Sequence, residues 1–325
     1  MSTEPFAPSA DLPRAPPSPW WRRALPFALA AALLGVALRQ VDLHAFARHL
    51  ATVNAPLYLA FALGFVLSLL TADTFATVLV YRRTVAPVGF GELWILRGAS
   101  YLPALLNHHV GQAFLTYYIA RAHGVPLARM TGGTLLVYVS WMGLLAGTGC
   151  LALVVAGQPL VMPAVIVVVG LVYLAVIATR PAWLARTRLL APLFEAGLGG
   201  HLVALMVRVP HLVVLFVGTW LPFRFFGVDI PFRAALAFVP ILMVGVTLPI
   251  TPQGLGTRDL IAAALFEPFA PGATHAERLA SIAAATTSWL VAVTLTGGLL
   301  GLVLLKRALP ALDHRTDAKG TSRGM

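Results

Sequence analysis

Apolar residues dominate this chain in long uninterrupted runs, and short polar or basic segments separate them. A run of roughly 20 apolar residues is enough to cross a bilayer as a helix. The runs are rich in Leu, Ala and Val and lack the period-two alternation of a barrel strand. At membrane depth no water satisfies the backbone, so helices are the structure these runs predict. Full spans are expected at Ala24–Leu38, about Pro56–Val80, Thr131–Gly157, Pro163–Ala178, about Leu202–Phe223 and Leu279–Leu305. Two amphipathic stretches, Val41–Leu50 and Trp183–Gly197, are expected to lie along the interface.

Two further apolar stretches are interrupted. Leu93–Leu106 is cut off by Asn107-His108-His109-Val110-Gly111-Gln112 and resumes as Ala113–Ala120. Phe232–Leu248 is cut off by Pro249-Ile250-Thr251-Pro252-Gln253-Gly254-Leu255-Gly256-Thr257-Arg258-Asp259 and resumes as Leu260–Phe266. Each reads as a re-entrant broken hairpin. The expected fold is therefore all-α and polytopic, with six full spans plus two re-entrant hairpins, or eight spans if each hairpin crosses fully.

The order of elements repeats. Span, interfacial helix, span, broken hairpin, span describes both 24–157 and 163–305. The second copy starts on the opposite side, which makes an inverted repeat. Inverted repeats with Gly/Pro-broken helices are a transporter architecture, with the substrate site near mid-depth.

Composition agrees. The 325 residues are 59% hydrophobic and only 11% charged, with a mean hydropathy of +0.84. A soluble domain carries about 25% charged residues. The net charge of +11 lies largely in clusters between runs, such as Arg22-Arg23, Arg82-Arg83 and Lys306-Arg307. That is the positive-inside pattern of a bacterial-type inner-membrane protein with both termini cytoplasmic, and it sets nucleic acid aside as a partner. Residues 1–19 and 309–325 are expected to be disordered cytoplasmic tails, flanking a membrane domain over 20–308. The single cysteine, Cys150, sits inside an apolar run and can form no intrachain disulfide.

Candidate chemistry lies in the breaks. Arg258 could meet a lipid phosphate through a guanidinium's paired donors, with Asp259 holding it. Alternatively, Asp259 caps the helix start and Arg258 neutralises it. In the other break Asn107, His108, His109, Gly111 and Gln112 offer headgroup hydrogen bonding or a proton-coupled step, or simply interfacial histidines near a helix end. Asp73, within an apolar span, is expected to face the bundle interior. Glu92, Arg97 and Arg121 read as cytoplasmic boundary charges. His201 and His211 have no evident catalytic partner. No phosphate-cradling GxxxxGK[ST], H-E-x-x-H or C-x-x-C occurs. No metal site, no cofactor and no catalytic residue are expected.

Leu248-Pro249-Ile250-Thr251-Pro252-Gln253-Gly254-Leu255-Gly256-Thr257-Arg258-Asp259 resembles the break motif of the flippase-like transmembrane region of the lysylphosphatidylglycerol synthases, roughly P-x-x-P-G-G-L-G-x-R-E. Pro249, Pro252, Gly254, Leu255, Gly256 and Arg258 match, while Gln253 replaces a Gly and Asp259 a Glu. The stretch from Asn107 through Gly111-Gln112 to Arg121 resembles the family's first polar break. The resemblance implies a lipid-translocating protein for a phospholipid or lipid-linked anionic headgroup, with Pro252, Gln253, Gly254, Gly256, Arg258 and Asp259 near the substrate. It implies no synthase chemistry here, because the stretch after Lys306 is shorter than a synthase domain. The other reading is an accessory subunit of a membrane glycosyltransferase or lipid-modifying enzyme.

Overall fold

A computed structural model describes residues 43–105, 108–247 and 256–320. The expected first span at Ala24–Leu38, the N-terminal tail, Asn107 and the segment 248–255 with Pro252, Gln253 and Gly254 lie outside the described residues. Every regular element among the described residues is helical.

Helix α1 (Leu43–Thr52) is the amphipathic segment. Asn54 then caps α2 (Ala55–Thr84), its side chain accepting from the Leu57 N–H at 3.2 Å, with Pro56 in the first turn. The first hairpin comprises α3 (Phe90–Ala99), the short α4 (Tyr101–Ala104) and α5 (His108–His123). Helix α6 (Leu127–Val155) follows, then α7 (Val161–Thr179) and the short α8 (Ala182–Ala185). Helix α9 (Ala191–Met206) and α10 (Val209–Trp220) run nearly end to end. The second hairpin is α11 (Phe232–Thr247) and α12 (Thr257–Phe266). The last helix, α13, is His275–Gly320.

Among the described residues five segments are long and apolar enough to cross a membrane: Ala55–Thr84, Leu127–Val155, Val161–Thr179, Ala191–Phe226 and His275–Ala308. Gly197, at φ 58°, has non-helical backbone and parts α9 into two helical pieces, at the residue where the expected stretch Trp183–Gly197 ends. One sequence expectation shifts. His108–Gln112, expected as a break, is the first part of α5. Polarity there does not signal a loop, because Gln112 turns inward to the half-buried Arg97.

Gly111 shows how tightly the first hairpin folds back. A Cβ there would fall 2.6 Å from the Ser100 carbonyl oxygen and 2.7 Å from the Ala104 Cβ. Only a glycine lets α5 lie this close to α4.

The two hairpins are packed crosswise. The first arm α3 lies along α13 and α2, and the first arm α11 lies along α6 and α10. Helix α13 also packs on α2, as α9 packs on α6, and α2 crosses α10. Two apolar cores result. One joins Tyr81, Leu93, Leu115, Met130 and Leu136. The other joins Tyr58, Phe226, Leu242, Phe266 and Trp289.

Candidate functional site

The charged centre of the molecule is built on α2 at Asp73. Asp73 is 4% exposed, in the middle of an apolar span, where a carboxylate costs free energy unless it is partnered. Its partners come from two other elements. Arg208 donates from Nη1 to one carboxylate oxygen. Arg97 of α3 places Nε 2.6 Å from the other.

Arg208 owes its position to a proline. Pro210 lacks an N–H and its ring clashes with the carbonyl four residues back. The span therefore breaks between α9 and α10, and Arg208 occupies the junction with helical backbone angles. It is 2% exposed and also donates from Nη2 to the Thr77 hydroxyl, one turn from Asp73, at 3.1 Å.

Arg97 links the centre to the first hairpin. Its Nη1 donates to the Gln112 side-chain carbonyl at 2.5 Å. From there a chain of hydroxyls runs deeper. Gln112 donates to Thr116 at 3.5 Å, Thr116 meets Thr134 at 3.2 Å, and Thr134 meets the Tyr81 hydroxyl at 2.9 Å. His211 lies beside Trp141, ring centroids 4.9 Å apart, with its Nδ1 buried and lacking a hydrogen-bond partner among the described residues.

Thus one carboxylate faces two guanidiniums, and arginine stays protonated in proteins. Among the described residues this centre, with Asp73 and Arg208 buried and Arg97 partly exposed, carries one positive charge in excess. An unbalanced charge in a dry interior is costly, and an arginine pair with free donor capacity suits a phosphate or carboxylate.

The structure brings Asp73 and Gln112 together, as two of the expected site residues. Arg97 is corrected: it is not a boundary charge but half of this centre. It turns inward because α3 enters the bundle and offers it the Asp73 carboxylate. Arg208 had not been singled out, although an arginine inside the apolar run Leu202–Phe223, two residues before a proline, was a readable signal. Glu92 pairs with His123 at 3.2 Å and stays partly exposed. His108 meets the Tyr138 hydroxyl at 3.0 Å, within electrostatic reach of Arg97 and Asp73, and His109 is exposed. Gly111 has the packing role described above.

The second hairpin holds a separate polar cluster. Gly256, at φ 74°, opens α12, and its N–H donates to Asp259 Oδ2 at 3.2 Å. The Thr286 hydroxyl of α13 donates to Asp259 Oδ1. Asp259 therefore caps α12 and ties it to α13. Among the described residues it forms no ion pair with Arg258, which is half-buried beside it. Among the described residues no group of three or more His, Cys, Asp or Glu could hold a metal ion.

Five apolar crossing segments around a buried arginine–aspartate centre define a multi-pass α-helical membrane protein with polar machinery inside its bundle. The family described as "Lysylphosphatidylglycerol synthase TM region" matches residues 23–292, and the chain belongs to that family. No curated protein sequence and no solved structure matches it.

Proposed function

We propose that this protein carries an anionic membrane lipid across the bilayer, receiving the phosphate of its headgroup at the Asp73–Arg97–Arg208 centre. The observation behind this reading is the unbalanced pair of guanidiniums on one buried carboxylate. Asp73 keeps both arginines oriented and offsets half of their charge. An incoming phosphate would offset the other half and take up donors from Arg97 and Arg208 together.

The surroundings fit such a task. One arginine stands at a broken span and the other on a broken hairpin, and interrupted helices of this kind form the substrate sites of transporters. The crosswise packing, α3 on α13 and α11 on α6, is what an inverted repeat of residues 24–157 and 163–305 would produce. We read the hairpins as re-entrant, both termini as cytoplasmic and the membrane as a bacterial-type inner membrane, from the basic clusters at Arg82-Arg83 and Lys306-Arg307. Arg258 stands half-buried at the start of α12, in the second hairpin.

Reconstitution in liposomes with fluorescent phosphatidylglycerol tests the proposal. Headgroup exposure should move between leaflets with the wild type. Arg97→Gln and Arg208→Gln should abolish the movement while eluting as folded protein in detergent. Undiminished movement in both variants would remove the centre from the transport path. A wild-type protein that moves no lipid but co-purifies with a glycosyltransferase would instead establish the accessory-subunit reading.

A further inference from the structure

A groove of about 280 Å³ lies between α2 and α9. Leu79, Val80 and Arg83 line it on one side, and Gly199, Val203 and Val207 on the other. Its volume is at the lower limit for small-molecule sites, so it holds part of a lipid and not a whole one. Its two ends differ in chemistry. At one end are Arg83 and Glu195. Glu195 is taken up by Arg129, at 2.5 and 2.9 Å. Arg83 is exposed there and has no acidic partner among the described residues. The other end reaches Val207, the residue before Arg208, and Val80, one turn from the Thr77 that Arg208 contacts.

We infer that this groove admits an anionic phospholipid sideways from the cytoplasmic leaflet to the buried centre. The inference rests on the lipid-carrying reading above and adds a route to it. The acyl chain lies along the apolar walls of Leu79, Val203 and Val207. The phosphate meets Arg83 at the mouth and passes about 12 Å, the rise from Gly199 to Val207, to Arg208. Arg129 neutralises the one carboxylate that would repel it. Gly199 keeps the route open: it is exposed, and a Cβ added there meets nothing within 4 Å. A Cβ at 199 forces no neighbour to shift, and a large side chain at this lining position takes up space at the groove.

The test uses the full chain in liposomes containing phosphatidylglycerol with a photoactivatable acyl chain. Cross-links should map to 79–83 and 199–207, and Gly199→Phe should lose them. Gly199→Phe should also slow translocation at least tenfold while eluting as folded protein in detergent. Equal rates for Gly199→Phe and wild type, or cross-links confined to other helices, would overturn the route. Competition by glycerol 3-phosphate would also overturn it, by assigning the groove to a soluble anion. Should the wild type move no lipid, the reading of the protein as a carrier falls, and the cross-links alone decide whether the groove holds lipid.

Discussion

Asp73 and Arg208, 135 residues apart in the chain, meet as a fully buried ion pair inside the membrane bundle. Each comes from a different span, so the pair fastens α2 to the α9–α10 junction at the place where Pro210 interrupts the second of them. The pair is asymmetric in what its loss does. Asp73→Ala strands the buried Arg208 and leaves Arg97 only Gln112, whereas Arg208→Met leaves Asp73 with Arg97. Removing one partner of a buried pair costs about 3–5 kcal/mol. Asp73→Ala should lower the unfolding midpoint in detergent by more than Arg208→Met does. An Asp73→Ala midpoint equal to wild type would mean that the centre contributes nothing to folding.

Arg97 uses two different nitrogens for two partners, Nε toward Asp73 and Nη1 toward Gln112. A lysine has one compact ammonium and cannot span both. Arg97→Lys should therefore keep the Asp73 contact and lose Gln112. The expected outcome is a folded protein with translocation reduced at least tenfold, and Gln112→Leu should approach the same rate. Wild-type rates in Arg97→Lys would show that only the charge at this position matters.

Much of this layout was readable from the chain, and what was not has a physical cause. The long spans declared themselves by hydropathy, and helix α2 and helix α6 lie within a few residues of their expected limits. Asp73 declared itself by its setting, because a carboxylate inside an apolar run needs a partner. The partners could not be paired by sequence. Arg97 lies near the polar end of an apolar stretch, where boundary and buried arginines read alike, and only the inward tilt of α3 separates them. Arg208 was visible in its run, but its meaning depends on a contact spanning most of the chain. Within the first break His108–Gln112 is helical and opens α5, because polar residues on a helix can face a polar interior as well as water. Asp259 had two readings, and the Gly256 N–H and Thr286 contacts favour the cap.

Two glycines separate packing from propensity. At Gly111 a side chain would strike Ser100 and Ala104, while at Gly64, in the middle of α2, a Cβ meets nothing within 4 Å. Gly111→Val should open the first hairpin and abolish folding or activity. Gly64→Ala should be neutral or stabilise by up to about 1 kcal/mol, the helix preference of alanine over glycine. Unfolding midpoints of the two variants side by side check this. A harmless Gly111→Val would show that α4 and α5 are farther apart than described.

Outside the spans, Glu267 begins a short 3-10 turn and accepts from His275 Nδ1 at 2.6 Å and from Arg278 Nη2 at 3.1 Å. The His275 hydrogen bond, with Arg278 behind it, holds the Glu267 carboxyl below the usual carboxylate range. A depressed carboxylate stabilises the fold above its unfolded value, about 4.3, and that contribution is lost as pH falls through the lower folded value. The loop before α13 should therefore loosen only in acid, and Glu267→Gln should flatten the dependence. Because the pair is solvent-screened, high salt should shrink the difference. Hydrogen exchange of the Ala270–Glu277 amides against pH measures it, and identical profiles for wild type and Glu267→Gln would count against the pairing.

Asp259 is the joint between the second hairpin and the last span. One oxygen serves the Gly256 N–H at the start of α12, and the other accepts from Thr286 on α13. The first contact, the reach-back bond of a capping box, is worth about 1 kcal/mol, as an ordinary hydrogen bond is. The second leaves a buried hydroxyl or carboxylate oxygen short of a partner when either side is cut, about 1–3 kcal/mol. Thr286→Val should thus cost less than Asp259→Ala, because it spares the cap. Asp259→Asn should fall between them, since an amide oxygen can serve one of the two donors but not both as a carboxylate does. If the cluster only joins α12 to α13, all three variants should lower the unfolding midpoint and leave the translocation rate per folded molecule unchanged. A rate that drops in Asp259→Asn without a matching loss of stability would instead place Asp259, and with it the neighbouring Arg258, on the path of the lipid.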